Sequence, residues 1–170
     1  MFKFQSFAFL PVFGISNALT TIVSYNYGAR KKDRIKRSIS LSIKSSFVLM
    51  TVAVLIMWIF PAKLLSMFNA TDDMLSIGVP MMRIVSLSYL VAVPSIVAVG
   101  GVFQSLGNWK IAILQSLLRQ IIILIPVFYF LSLSGNLNIA WWAFFIAEFL
   151  DVVFCILMLK KEIRTKVDVL

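Results

Sequence analysis

The chain alternates long apolar stretches without charges with short segments rich in charged residues. A helix that crosses the hydrocarbon core of a bilayer needs about 20 mostly apolar residues. The longest charge-free run, between Arg119 and Glu148, exceeds one crossing and contains the turn-forming sequence Ser-Leu-Ser-Gly-Asn at residues 132–136, so it divides into two. The pattern predicts five transmembrane helices, at about residues 7–27, 40–60, 77–106, 110–131 and 138–159.

Composition places the chain among integral membrane proteins. Of its 170 residues, 61% are hydrophobic and 14% are charged, and the mean hydropathy is +0.97. Soluble domains carry about 25% charged residues, so this chain could not cover its surface with enough polar groups. We therefore predict an all-α membrane protein whose apolar surface is in contact with the lipid bilayer.

The distribution of basic residues predicts the orientation in the membrane. The net charge is +9, and basic residues of membrane proteins collect in cytoplasmic loops. Six lie within residues 28–37 and four within residues 160–170. We expect this loop and this C-terminal tail to be cytoplasmic, in the plasma membrane, and the N-terminus to be outside. No basic stretch is interleaved with aromatic residues as in single-strand binders, so we expect no nucleic-acid partner.

Several kinds of chemistry have no residues to support them. The chain has no histidine and one cysteine, Cys155, so it lacks the common general base and cannot build a zinc cluster. It also has no Walker pattern or glycine-rich phosphate loop. We expect neither an enzyme nor a bound cofactor or metal.

Charged residues inside apolar spans are the strongest functional pointers. Glu148 and Asp151 lie at i and i+3 of the last predicted helix and share a face. A carboxylate at this depth is expensive unless a proton, a cation or a basic partner neutralises it, and Arg119 in the preceding helix is the candidate partner. Two interpretations stay open: a structural pair that fixes helix register, or a site that responds to ions or substrate. Arg83 is expected to extend its side chain to the interface.

Neutral polar and small residues inside the spans predict helix contacts. Gln104 and Gln115 are expected to form interhelical hydrogen bonds, and Asn17, in the middle of the first span, is the best placed to line a cavity. Small residues that favour close packing are Gly14 and Ala18 in the first span and Gly100 and Gly101 in the third. Four prolines fit either packing kinks or hinges beside a cavity: Pro11, Pro80, Pro94 and Pro126.

Four motifs occur in the order and spacing of one known family. They are Gly14-Ile15 followed by Ser-Tyr-Asn-Tyr-Gly-Ala at residues 24–29 and the basic Arg34 and Lys36; Phe-Gln-Ser-Leu-Gly-Asn at 103–108; Leu-Arg-Gln at 118–120 with an apolar run to Pro126; and Ala147-Glu148. Together they resemble helices eight to twelve of the multidrug and toxic compound extrusion (MATE) transporters. The chain departs from the family pattern at Ser16-Asn17, where a Gln-rich stretch is usual, and at Asn138-Ile139-Ala140-Trp141, where a Gly-Val/Ile-Trp sequence is common.

The resemblance implies an incomplete C-terminal lobe of a twelve-helix transporter built from two six-helix lobes. It implies secondary antiport, coupled to H⁺ or Na⁺, that exports amphipathic, often cationic, drugs and toxic compounds. Transport would then require the missing N-terminal lobe or another chain, and the chain is expected to be part of a longer sequence. The candidate residues for ion or substrate binding are Glu148, Asp151, Arg119, Gln104 and Asn17.

Two alternative functions stay open. One is a lipid-linked saccharide flippase of the same superfamily, although a pyrophosphate would need several cations and only Arg83 and Arg119 lie within the membrane. The other is a truncated membrane protein that does not transport.

Overall fold

The computed structural model describes the backbone of residues 2–67 and 71–170, and side chains from Gln5 onward. The described part contains seven α-helices: α1 (Phe2–Gly28), α2 (Lys32–Ile59), α3 (Pro61–Ser66), α4 (Asp72–Val97), α5 (Trp109–Leu117), α6 (Ile125–Ser132) and α7 (Leu137–Glu162). Three π-helical segments extend or join them: π1 (Ala98–Phe103) after α4, π2 (Leu118–Leu124) between α5 and α6, and π3 (Ile163–Val167) after α7.

In the described part of the chain, five continuous helical stretches are long and apolar enough to cross a membrane. This agrees with the prediction of an all-α membrane protein with about five transmembrane helices. The five stretches cover Gln5–Gly28, Lys32–Ile59, Asp72–Phe103, Trp109–Ser132 and Leu137–Val167. Large apolar side chains such as Phe7, Tyr129 and Phe130 are more than half exposed on the outside of the bundle. Such a surface suits a lipid environment, where exposed apolar groups carry no hydration penalty.

The helices extend farther into the charged segments than the hydropathy pattern predicts. The basic loop predicted at residues 28–37 is a short turn, because α1 continues to Gly28 and α2 already begins at Lys32. The predicted tail at residues 160–170 is helical as far as Val167. Lys, Arg and Glu are good helix formers, so the appearance of charge marks the edge of the apolar region and not the end of a helix.

Helix α4 lies at the centre of the bundle, between α7 on one side and α1 and α2 on the other. Its buried side chains include Val85, Tyr89 and Val93. On α7, a stripe of small residues at helical spacing faces it, formed by Ala140, Ala143 and Ala147, each at most 2% exposed. Small side chains allow two helix backbones to approach closely in a membrane, so this stripe fixes the position of α7 against α4.

Helix α1 packs closely against π1 through the glycines of the third span. A Cβ atom on Gly100 would lie 2.5 Å from the Ser16 hydroxyl oxygen, and one on Gly101 would lie 2.6 Å from Leu19 Cδ2. The Thr20 hydroxyl donates a hydrogen bond of 2.6 Å to the carbonyl of Gly100. The predicted packing role of Gly100 and Gly101 is confirmed.

The small residues of α1 form no close helix contact within the described part of the chain. Gly14 and Ala18 are exposed, and a Cβ atom on Gly14 would meet nothing within 4 Å. Small residues at a spacing of four permit close contact but do not select the face, which here follows Val12, Leu19 and Val23, all fully buried.

The end of the bundle near the α1–α2 turn is closed by π3 and by a group of charged side chains, the basic-end cluster (Lys36, Glu162, Lys166 and Asp168). Val167 of π3 is fully buried in an apolar cluster with Ile35 and Leu106. Lys36 pairs with Asp168 at 2.5 Å, and Lys166 pairs with Glu162 at 3.3 Å. Lys166 also donates a hydrogen bond of 2.9 Å to the carbonyl of Leu106, so this cluster joins α7 to the ends of α2 and π1.

Candidate functional site

Two acidic residues in the middle part of α7, Glu148 and Asp151, are buried inside the bundle. Glu148 is 6% exposed and Asp151 is 1% exposed. They follow the alanine stripe along α7, on the side that packs against α4 and π2. The same helix face therefore changes from small apolar residues to carboxylates partway along its length, where α4 and the α5–α6 span both lie close.

Arg119 of π2 forms an ion pair with Glu148, through its guanidinium Nη2 and the carboxylate Oε1. The partnership predicted across the last two spans is confirmed. The second carboxylate oxygen, Glu148 Oε2, is buried and has no hydrogen-bond partner in the described part of the chain. Buried polar atoms without a partner are uncommon, so this oxygen is an exception that needs an explanation.

Asp151 has a neutral partner. The side-chain amide of Gln115 on α5 donates a hydrogen bond of 2.8 Å to Asp151 Oδ1, which confirms the interhelical hydrogen bond predicted for Gln115. Among the residues the structure describes, Asp151 forms no ion pair. Two buried carboxylates thus share a region that contains one arginine.

Two cavities meet at Arg119. The larger, of about 350 Å³, lies between α1, the α4–π1 helix and the α5–π2 helix, and Asn17, Gln104, Gln115 and Arg119 line it. The smaller, of about 120 Å³, is lined by Arg119 together with Glu148 and others. Gln5 and Arg119 line both spaces, and of these two Arg119 is the one paired with Glu148.

Four of the five predicted site residues line one of the two cavities, and the fifth, Asp151, does not. Asn17, Gln104 and Arg119 line the larger cavity, and Glu148 lines the smaller one. Asp151 lines neither cavity and is connected to the larger one through its hydrogen bond with Gln115. The five candidates therefore lie in one region, and Gln115 connects Asp151 to the larger cavity.

Both cavities border on irregular helical segments that the sequence did not indicate. Segment π2 begins at Leu118, directly before Arg119, and segment π1 contains Gly100 at the edge of the larger cavity. Segments of π-helix cost stability and occur frequently at functional sites. In π1 the carbonyl of Gly100 accepts the hydroxyl of Thr20, and the nearby carbonyl of Ile96 accepts the hydroxyl of Ser16 at 3.2 Å.

Some lining residues gave no sequence signal. Phe9 and Phe13 form an aromatic wall of the larger cavity, but aromatic residues are common throughout the spans. Ser95 also lines it, and its hydroxyl donates to the carbonyl of Ala92 within the same helix. A serine that satisfies its own hydroxyl in this way is common in membrane helices, so its residue type alone does not indicate a site.

Comparisons with known proteins agree with the motif pattern. The MatE family model matches residues 1–130. The chain is also similar to a solved structure of the MATE multidrug transporter DinF-BH in complex with rhodamine 6G, with a TM-score of 0.84 and 34% sequence identity. The match covers 98% of this chain and 37% of the other. No curated protein matches the chain. The family match over most of its length and the shared fold show that this chain belongs to the MATE family of membrane transporters.

Proposed function

We propose that this chain forms part of the pathway of an ion-coupled exporter that exchanges H⁺ or Na⁺ for amphipathic, cationic compounds across the plasma membrane. The main support is the presence of two buried carboxylates, Glu148 and Asp151, with one arginine between them and a cavity. Glu148 is the ion-responsive group in this proposal, and Arg119, Gln104 and Asn17 contact the substrate.

The charge balance of the site supports ion coupling. With both carboxylates ionised, Arg119 compensates one of them and one negative charge is left over. A charge at the centre of a bilayer costs at least about 2.5–3.5 kcal/mol. Binding a proton or a sodium ion removes that excess charge, so the occupancy of the site depends on the gradient of the coupling ion.

The larger cavity supports an amphipathic substrate. Its walls combine the aromatic rings of Phe9 and Phe13 with the amide side chains of Asn17 and Gln104. Its volume of about 350 Å³ falls at the lower end of the range for small-molecule sites, about 300–1,000 Å³. The similar transporter structure was solved in complex with rhodamine 6G, which makes this compound a suitable first substrate to test.

Arg119 acts in this proposal as a cation built into the protein. Its guanidinium pairs with the Glu148 carboxylate when no other cation is bound there. A proton or a cationic group that binds Glu148 then releases Arg119 toward the larger cavity. The position of Arg119 along both cavities supports this exchange. Substrate and coupling ion would then compete for the same carboxylate, which is the requirement for antiport.

Transport by this mechanism requires more than the helices described here. The chain spans 37% of the length of the transporter structure it matches, and alternating access needs two halves that move against each other. We propose that an N-terminal lobe or another chain supplies the second half. In this assembly the α1–α2 turn and the C-terminus face the cytoplasm, and the N-terminus faces outward.

Efflux of rhodamine 6G from cells that lack their own pumps tests the proposal. The cells would express either this chain or a version extended upstream. Each form would be tested unsubstituted, with Glu148→Gln, and with Glu162→Gln as the matched control. Glu162 is equally buried, at 6% exposed, but lies at the basic end. We expect efflux from the extended form, a loss of about tenfold or more in Glu148→Gln, equivalent to about 1.4 kcal/mol, and little change in Glu162→Gln. Unchanged efflux in Glu148→Gln would refute the assigned role.

The flippase alternative receives less support from the site. A lipid-linked pyrophosphate would require several cations, and in the described part of the chain Arg119 is the one basic residue that lines either of these two cavities. The Arg83 side chain is exposed. Absence of efflux from both the short and the extended forms would instead favour a protein that does not transport, and efflux from the short form alone would indicate assembly by oligomerisation.

A further inference from the structure

A further groove lies away from the candidate site, between α1 and α2 near the turn that joins them. It has a volume of about 310 Å³. Helix α1 contributes two lining residues and α2 contributes four: Ile22, Asn26, Arg34, Arg37, Ser38 and Leu41. None of these residues lines either cavity of the candidate site, so the groove needs a separate explanation.

The lining of this groove changes from basic to apolar along its length. Arg34 and Arg37, at i and i+3 on one face of α2, lie at the end nearest the turn. Ile22 and Leu41 lie farther from the turn, toward the middle of the spans, and both are exposed. A phospholipid has the same order of groups, with a phosphate at the membrane surface and acyl chains below it.

The basic groups of the groove are free of protein partners. Neither Arg34 nor Arg37 forms an ion pair with any residue that the structure describes. Residues 30–37 contain six basic residues and one acidic residue, Asp33. The two exposed guanidinium groups are therefore available to bind an anion from outside the chain.

Asn26 provides a second, independent indication of a ligand. It is 7% exposed, and its amide nitrogen donates a hydrogen bond of 2.8 Å to the carbonyl of Ile22. Its amide oxygen, Oδ1, is buried and has no hydrogen-bond partner in the described part of the chain. A hydrogen-bond acceptor in a groove that two arginines also line suits a ligand with both a negative charge and a hydroxyl donor.

We propose that this groove binds an anionic phospholipid with a hydroxyl-bearing headgroup, such as phosphatidylglycerol. Arg34 and Arg37 bind its phosphate, Asn26 Oδ1 accepts a hydrogen bond from a headgroup hydroxyl, and an acyl chain lies along Ile22 and Leu41. Basic pockets between transmembrane helices bind anionic headgroups in this way, and basic residues near the membrane surface add to the attraction.

A neighbouring groove on α2 allows a comparison of the number of unpaired cations available to bind an anionic lipid. It has a similar volume, about 300 Å³, and is lined by Lys36, Lys44, Ile39, Ile43, Ser40 and Ile163. Lys36 is already paired with Asp168, which leaves Lys44 as its one uncompensated cation among the described residues. The groove with two free arginines and an unpaired amide oxygen is therefore the stronger site for an anionic lipid.

Native mass spectrometry of the full 170-residue chain in neutral detergent tests the proposal by counting bound lipids. Phosphatidylglycerol and phosphatidylcholine with identical acyl chains would be titrated in parallel, with inorganic phosphate as a competitor. We expect one phosphatidylglycerol to bind in preference to phosphatidylcholine. Arg37→Gln should weaken its binding about fivefold, the effect of one cation, whereas Arg37→Lys should retain most of it.

Lys44→Gln is the matched control, because it removes one exposed positive charge from the same helix. Equal weakening by Arg37→Gln and Lys44→Gln would show general attraction to the basic surface and overturn the groove assignment. Equal binding of the two lipids would overturn the requirement for an anion, and displacement of lipid by an equal concentration of inorganic phosphate would assign the groove to free anions. Far-UV circular dichroism on every variant verifies that the helices are intact, so a loss of binding reports on the groove.

Discussion

In the described part of the chain, two ion pairs connect different helical segments, yet their surroundings differ. Arg119 and Glu148 meet in the interior, where the Glu148 side chain is 8% exposed. Lys36 and Asp168 meet at the basic end, with side chains 47% and 39% exposed. Water and salt screen the second pair, and surface pairs of this kind contribute about 0–1 kcal/mol. The interior carboxylate is largely shielded from solvent, so it depends more strongly on its partner.

The contrast indicates which interactions stabilise the helix contacts in each region. At the basic end, Val167 packs in an apolar cluster with Ile35 and Leu106, and the charges are arranged around a contact that apolar burial already stabilises. In the interior, the charged and amide side chains themselves form the contacts between the α5–π2 helix and α7. A change of charge should therefore have a large effect in the interior and a small one at the basic end.

The largest expected effect is that of Arg119→Gln. Removing one partner of a buried pair leaves an uncompensated charge and costs about 3–5 kcal/mol. Arg119 is 37% exposed toward the cavities, so we expect a loss at the lower end, about 3 kcal/mol. The measurement is the free energy of unfolding in an SDS titration, followed by far-UV circular dichroism.

Two variants verify the cause of that loss. Arg83→Gln removes an arginine of another membrane-spanning helix whose side chain is exposed, and should cost less than about 1 kcal/mol. The double variant Arg119→Gln/Glu148→Gln removes both charges and should recover more than half of the lost stability. A double variant as unstable as Arg119→Gln alone would show that Arg119 contributes by packing and not by charge.

A smaller effect is expected from Gln115→Leu. The substitution removes the donor of the 2.8 Å hydrogen bond to Asp151 Oδ1, and the loss of such a bond to a buried carboxylate costs about 1–3 kcal/mol. The same titration measures it. Gln104→Leu serves as the control, because Gln104 lines the same cavity without a contact to either buried carboxylate in the described region. Equal losses in the two variants would contradict the importance of the Asp151 contact.

The sequence predicted the interior better than the ends of the helices. The five spans followed from apolar length, and the pairing of Arg119 with Glu148 followed from the cost of an isolated charge in lipid. The start of α2 at Lys32 and the helical π3 segment could not be predicted, because basic residues mark the edge of the membrane without terminating a helix. Segments π1 and π2 have no residue signature, and Gly14 did not reveal that its face would be exposed.

The smallest expected effect, and the sharpest test of the contrast, is that of Lys36→Gln. Because both side chains of the pair are well exposed, the variant should lose less than about 1 kcal/mol of unfolding free energy, and less still at high salt. Val167→Ala in the same region should cost more, about 1.5 kcal/mol, because it removes the equivalent of two fully buried CH₂ groups. If Lys36→Gln were instead the more damaging of the two at every salt concentration, charge and not apolar packing would hold π3 against α2, and the two regions would be stabilised in the same way.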